Sequence, residues 1–241
     1  MSALAINTVL IAFRLMPLLL VTPLGLFRRA PVLARLFLLV ALSIVIAGAT
    51  TTATVSSFNW SMLISEFLIG VSLAFSFLAA QAAVQTMGRA LDQQIGFAAA
   101  NVLDPTSEQM ESLTGQVMLL ALMMTFVTFD VHHAMLRGVA IMVDAHPPGT
   151  QMLWSENIFR ILGVQFFAGF ALAAPVMLIM WLVDIALAFV SRSLPQANIY
   201  FVGLPLKVAI GTLALAWLIL QGTPALLTML ESALNAWSGI Y

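Results

Sequence analysis

Side chains able to do chemistry are few in this sequence, and their placement restricts what they can do. Asp130, His132, His133, Asp144 and His146 fall within one short region, a set that invites a metal reading. Adjacent residues on a helix diverge by about 100°, so His132 and His133 are not expected to aim at one ion as an i, i+4 pair does. With no zinc-protease motif either, the region reads as polar residues at a helix end, and no metal is expected. Ser191 and Ser193 have no base near them in sequence to activate a hydroxyl. There is no glycine loop of the phosphate-binding kind, and zero cysteines exclude disulfides, thiolate ligands and cysteine catalysis. The residues give no support for an enzyme, and no cofactor is expected.

A second set is defined by its surroundings. Arg14, Glu66 and Asp184 are ionisable residues inside apolar runs, where charge is costly and marks function by default. Glu66 sits near the start of its run beside Trp60, so it reads either as a functional acid or as an anchor at the headgroups. Asp184 lies deeper, two turns before Arg192. It could relay protons, but pairing with an arginine of this chain or of a neighbour is the favoured reading.

The elements that must hold these residues follow from composition. Of 241 residues, 62% are hydrophobic and 8% charged, and the mean hydropathy is +1.06. A soluble chain is about a quarter charged, so this one cannot cover itself in water and is expected to be an integral membrane protein. The net charge of −1 offers no basic patch for nucleic acid. Apolar stretches run roughly over 4–27, 32–49, 61–87, 112–131, 158–190 and 208–231, each near or above the length of a span. The expected fold is all-α: about six long apolar helices joined by Pro/Gly-broken hairpins. The runs are too continuous for a transmembrane barrel. Arg28, Arg29, Arg35, Arg89, Arg192 and Lys207 fall on one side of a six-span path, and only Arg137 and Arg160 on the other. The richer side is expected to be cytoplasmic. The start lacks the charged n-region of a signal peptide, and Pro17 and Pro23 interrupt its apolar run, so the first segment is expected to remain.

Three links stand out. Residues 88–111 are the most polar stretch yet retain Phe97 and Ala98 to Ala100. They read either as a re-entrant or pore-facing loop or as a solvated loop with Asp104 and Pro105 at a helix start. In 191–207, Pro195, Gly203 and Pro205 break an apolar run, while Gln196 and Asn198 offer amides, as a hairpin tip against another subunit would. Residues 144–156 carry a His-Pro-Pro-Gly turn and read as a connection. In the third span Gln81 and Gln85 alternate with alanines, suited to close packing within the chain or against other subunits. Seven of the 14 methionines fall between Met110 and Met152, either as a deformable seal or as ordinary core filling.

Read together, particular residues resemble a known family. They are Arg14, Pro23 to Pro31 with Arg35, Glu66 to Gly70 (EFLIG), Gln94 to Phe97 (QIGF) leading to Asp104 and Pro105, and Phe129 to His133 (FDVHH). Ala174 to Val176, Asp184, Arg192 to Asn198 (RSLPQAN) and Gly203 to Lys207 (GLPLK) complete the set. This pattern resembles the FliR/SctT family of the type III protein export apparatus, more closely its flagellar branch, over nearly the whole chain. The last two motifs at their fixed spacing are the specific ones. The chain departs from the family at Asp130-Val131, where a glycine usually precedes the two histidines, and at Tyr200, where phenylalanine is usual.

The resemblance implies a non-enzymatic export gate in the bacterial inner membrane, within the flagellar basal body. FliP-like and FliQ-like subunits would complete its pore, FlhB-like and FlhA-like components would lie on its cytoplasmic side, and unfolded secreted proteins would pass through. It implies one FliR-like domain over 1–241, FliP-like in 1–157 and ending in a FliQ-like hairpin over 158–241. A pore plug would be carried by Gly96, Phe97, Ala98, Asp104, Pro105 and Glu108. A partner-docking tip would hold Arg192, Pro195, Gln196, Asn198, Gly203, Pro205 and Lys207, and Gln81 and Gln85 would pack between subunits. Family helices stand largely above the lipid, wrapped by partners, which would lower the count of true spans. The equivalent subunit of a virulence injectisome is the alternative. A secondary transporter with a midplane site is the reading from another class, and the unequal halves of the sequence speak against it.

Overall fold

A computed structural model describes residues 3–21, 30–49, 59–97, 112–149, 157–193 and 199–238. The described residues are almost all helical, with no strand among them. In chain order the helices are α1 (Ala3–Met16), a π-helical turn (Pro17–Val21), α2 (Val32–Ala49), α3 (Trp60–Ile95), α4 (Leu113–Thr128), α5 (Val131–Ala145), α6 (Asn157–Ser193) and α7 (Ile199–Ser238). The π turn begins at Pro17, whose ring cannot donate to the ladder of α1 and so widens it. Hydroxyls in these apolar helices bond back to their own helix: Ser43 donates to the Leu39 carbonyl, Ser72 to Ile69 and Ser76 to Leu73.

Helix starts are set locally. Asn59 Oδ1 accepts the Ser61 N–H at 3.4 Å. Ser112 Oγ accepts the Gly115 N–H at 2.8 Å, the N-cap to N3 bond that opens α4. Asp92 of α3 adds a carboxylate oxygen 3.0 Å from the Thr114 N–H. A buried acid at a helix N-terminus satisfies a donor and complements the dipole together.

Contacts divide the chain into two compact units. Unit 1 holds 1–79, 126–163 and 230–241, and unit 2 holds 80–125 and 164–229. This is a division by contact, unlike the expected one by likeness to other subunits. In unit 1, Ile6 and Leu10 of α1 pack on Leu63 of α3, with Val9, Phe13 and Met62 around them. Nearby, Phe77 meets Trp237 edge-on at 5.6 Å and Phe126 at 6.2 Å. The Trp237 Nε1–H donates to Ser76 Oγ at 3.0 Å. Unit 2 is a set of close crossings. A Cβ on Gly88 of α3 would stand 2.3 Å from the Cα of Gly115 in α4, and one on Gly169 of α6 would stand 3.1 Å from the Cβ of Ala83. Gln165 Nε2 donates to the Met229 carbonyl at 3.1 Å and ties α6 to α7.

Six apolar helical stretches occupy the six expected places, but fewer qualify as spans. Among the described residues, four helices are long and apolar enough to cross a membrane, or five if one bent pair counts as a span. The first stretch, Leu4–Leu20, is short. The fourth breaks at Phe129-Asp130 into α4 and α5, bent by 68°. The helix break expected over 191–207 is narrower than the sequence suggests. α6 runs to Ser193 and α7 starts at Ile199, so Gly203 and Pro205 lie inside a helix. In apolar surroundings, neighbouring helices and local adjustment allow proline to remain helical. The first eight residues of the polar stretch, 88–95, are likewise the end of α3.

Candidate functional site

The residues with the most chemistry meet in unit 1. Arg14 in the last turn of α1 and Glu66 in the second turn of α3 are both fully buried. Their bond is bidentate, with Nε 2.6 Å from Oε2 and Nη2 3.0 Å from Oε1. A planar guanidinium matches a carboxylate this way, and the paired geometry offsets the desolvation of two charges. Arg14 Nη1 also donates to the His146 carbonyl at 3.0 Å, and Glu66 Oε1 accepts the Gly149 N–H at 2.7 Å. The His-Pro-Pro-Gly turn is therefore strapped onto the pair, a role that its composition did not reveal. Glu66 is no headgroup anchor: its carboxylate points at α1, although Trp60 beneath it is exposed. One turn further along the same face of α3 stands Gly70. A Cβ there would lie 2.1 Å from the Arg14 carbonyl oxygen, so a glycine is required where the helices cross.

Asp184 is paired, as favoured, but with a lysine rather than an arginine. Lys207 Nζ lies 2.7 Å from Asp184 Oδ1, joining α6 to α7 in unit 2. One expected intramembrane acid and one expected docking residue are thus each other's partner. Gly203 presses on Leu187 of α6, where a Cβ would stand 3.2 Å from Leu187 Cδ1. Arg192 is exposed. Pro195, Gln196 and Asn198 lie outside the described residues, as do Ala98, Asp104, Pro105 and Glu108. Of the expected plug, Gly96 and Phe97 are seen. Gly96 ends α3 with φ of +102°, a conformation natural to glycine, and a Cβ there would stand 3.0 Å from Leu204 Cδ1.

Ala79, Ala80 and Ala83 are buried inside the chain, so that small-residue face packs internally, with Gln81 and Gln85 half-buried beside it. Met118, Met123, Met135 and Met142 are buried core residues, while Met124 is exposed. The bend at 129–130 is made without a glycine. Asp130 takes the left-handed conformation, φ 54° and ψ 27°, one that aspartate tolerates better than most residues. Its carbonyl accepts the His133 N–H at 2.9 Å and its side chain caps nothing. The angular argument against His132 and His133 facing one point does not hold here. A ligand atom from each, with one from Asp130, lie within 4.8 Å of one another.

Residues 5–234 match the family model described as bacterial export proteins, family 1. The chain belongs to that family. Among its relatives, the flagellar biosynthetic protein FliR of Bacillus subtilis (strain 168) is 35% identical over 156 residues, 62% of this chain and 60% of the relative. That of Escherichia coli (strain K12) is 28% identical over 194 residues, 76% and 73% of the two chains. The Yop proteins translocation protein T of Yersinia pestis is 26% identical over 167 residues, 67% and 64%. The match thus spans about three fifths of the Bacillus protein's length. Membership in this family goes with helices long and apolar enough to cross a membrane, as in a helical membrane protein. Within this export-family fold the matched EFLIG segment supplies both Glu66 and Gly70, and its role is to lock α3 against α1. The GLPLK segment supplies Lys207 to Asp184 and seats Gly203 against α6.

Proposed function

We propose that this chain is the FliR-type subunit of a flagellar type III export gate in the inner membrane. With FliP-like and FliQ-like subunits it forms the pore through which unfolded flagellar proteins leave the cytoplasm. The match over residues 5–234 to an export family with FliR relatives carries the reading. The exposed surface agrees with a life among partners or lipid: Phe37, Phe159, Phe167, Trp181, Phe201 and Leu220 all stand outward. No bond-making step is asked of the chain. FlhB-like and FlhA-like components lie on the cytoplasmic side, and the FlhB-like one docks at the tip between α6 and α7. The segment 96–111, springing from Gly96, closes the pore at rest, and Gln81 and Gln85 face neighbouring subunits.

The injectisome equivalent is the second reading, supported by likeness to Yop protein T and to the secretion system apparatus protein SsaT of Salmonella typhimurium at 27% identity. The higher identity to the Bacillus FliR favours the flagellar branch. Expression in a motile bacterium lacking its own FliR separates the two. Restored flagella and swimming are expected, and rescue only of an injectisome strain would transfer the assignment to the other branch. In the rescued strain, deleting 98–108 should leave the complex assembled but leaky to small ions. Complexes as tight as the parent's would place the seal elsewhere.

A further inference from the structure

Asp130, His132 and His133 form a cluster at the bend between α4 and α5 to which the proposed function assigns no part. Asp130 Oδ1 lies 3.4 Å from His133 Nδ1 and 3.8 Å from His132 Nε2, and the two imidazole rings are 4.2 Å apart, tilted by 36°. Donor atoms held at about 2.0–2.1 Å around a tetrahedral ion stand roughly 3.4 Å from each other. Two edges of such a site are therefore nearly formed, and the third, within 4.8 Å, closes by small rotations about the side-chain bonds.

The convergence has a local cause. Adjacent histidines leave a helix in different directions, but here one is met by its far nitrogen, Nε2, and the other by its near one, Nδ1. Unequal reach compensates for the angle between them. The left-handed step at Asp130 supplies the rest. An aspartate preceding a helix ordinarily accepts a backbone N–H in its first turn, yet this carboxylate makes no such bond and lies beside the imidazoles instead.

We infer that Asp130, His132 and His133 bind a divalent first-row transition-metal ion of the zinc, cobalt, nickel or copper class. Two imidazoles and one carboxylate suit such ions, and a chain with no cysteine offers none of the thiolates that select softer ones. Asp130 and His133 also border an open cleft of about 640 Å³, shared with Arg137, Ile141 and Asn235. The remaining coordination positions are thereby within reach of water. His132 Nδ1 is buried with no hydrogen-bond partner among the described residues, and lack of such outer support weakens a histidine ligand by about 10–100-fold. The site is thus an exchangeable one, which when filled pins the left-handed turn at Asp130.

The test uses the full chain extracted in detergent with whatever accompanies it, carrying a tag free of histidine. Cobalt(II) is titrated and followed by its visible absorption, and bound zinc is counted after dialysis. One equivalent is expected for the parent chain. Asp130→Asn keeps a residue that tolerates the left-handed turn while removing the charge, and His132→Gln and His133→Gln remove the nitrogens. Each variant, at unchanged helix content, should bind about tenfold more weakly or worse, and the double histidine variant should bind none. Equal uptake by the parent and the double variant, or no uptake by the parent above a detergent blank, would overturn the assignment.

Discussion

The bond between Arg14 and Glu66 shows how far single residues could be read and where reading stopped. Each is conspicuous in sequence because an ionisable group in an apolar run is costly. Nothing along the chain couples positions 52 residues apart, and proximity to Trp60 gave Glu66 an equally good reading at the headgroups. Asp92 was less legible still: it sits among polar neighbours, and only the fold shows that it supports the start of α4. Asp184 gave up its pairing but not its partner, since Lys207 belonged to a segment read as a helix break. The buried pair carries a direct prediction. Glu66→Gln or Arg14→Met leaves one buried charge uncompensated and should cost about 3–5 kcal/mol. Replacing both with Met and Leu should cost less than either single change, although the Gly149 N–H then loses its acceptor. Thermal unfolding of the full chain in detergent, with membrane accumulation as a second reading, checks this. A double variant weaker than both singles would mean that the pair acts through packing alone.

At the scale of elements, the positions of the helices were legible because charges are so rare that they mark the ends of apolar runs. Breaks and crossings were less so. Proline and glycine report a break only when water is the alternative partner for the backbone, and Pro205 and Pro224 lie within α7. The break in the fourth stretch was hidden for the opposite reason, because an aspartate makes a turn for which a glycine would be the usual signal. Glycines at crossings look the same in sequence as glycines with no neighbours, and the structure separates them. Gly70 faces the Arg14 carbonyl oxygen, while a Cβ on Gly163 in α6 would meet nothing within 4 Å. Gly70→Ala should therefore destabilise by about 1–3 kcal/mol or more through overpacking. Gly163→Ala should be neutral, or stabilising by up to about 1 kcal/mol from helix propensity. Denaturation midpoints of the two variants, measured side by side, decide it; equal losses would mean that these crossings tolerate a methyl group.

For the whole molecule, class and membrane character were legible from composition alone, since a chain with 8% charged residues has no other way to fold. The number of spans was not, because hydropathy responds equally to lipid and to an apolar partner. The outward aromatic residues of α2, α6 and α7 carry the same ambiguity into three dimensions. The Arg14–Glu66 pair has a further consequence, for the order in which the chain is made. Arg14 leaves the ribosome well before its counter-charge, and a lone arginine near the middle of an apolar helix opposes its entry into the bilayer by about 2.5–3.5 kcal/mol. The Leu4–Leu20 segment should therefore wait at the translocon and enter the bilayer together with α3 rather than ahead of it. Translation products ending before Glu66 should leave their first segment largely outside the membrane, as scored by protease protection, and those extending past α3 should insert it. Arg14→Leu should remove the delay. Insertion at the same efficiency with and without Glu66 would show that the first helix enters without help from its partner.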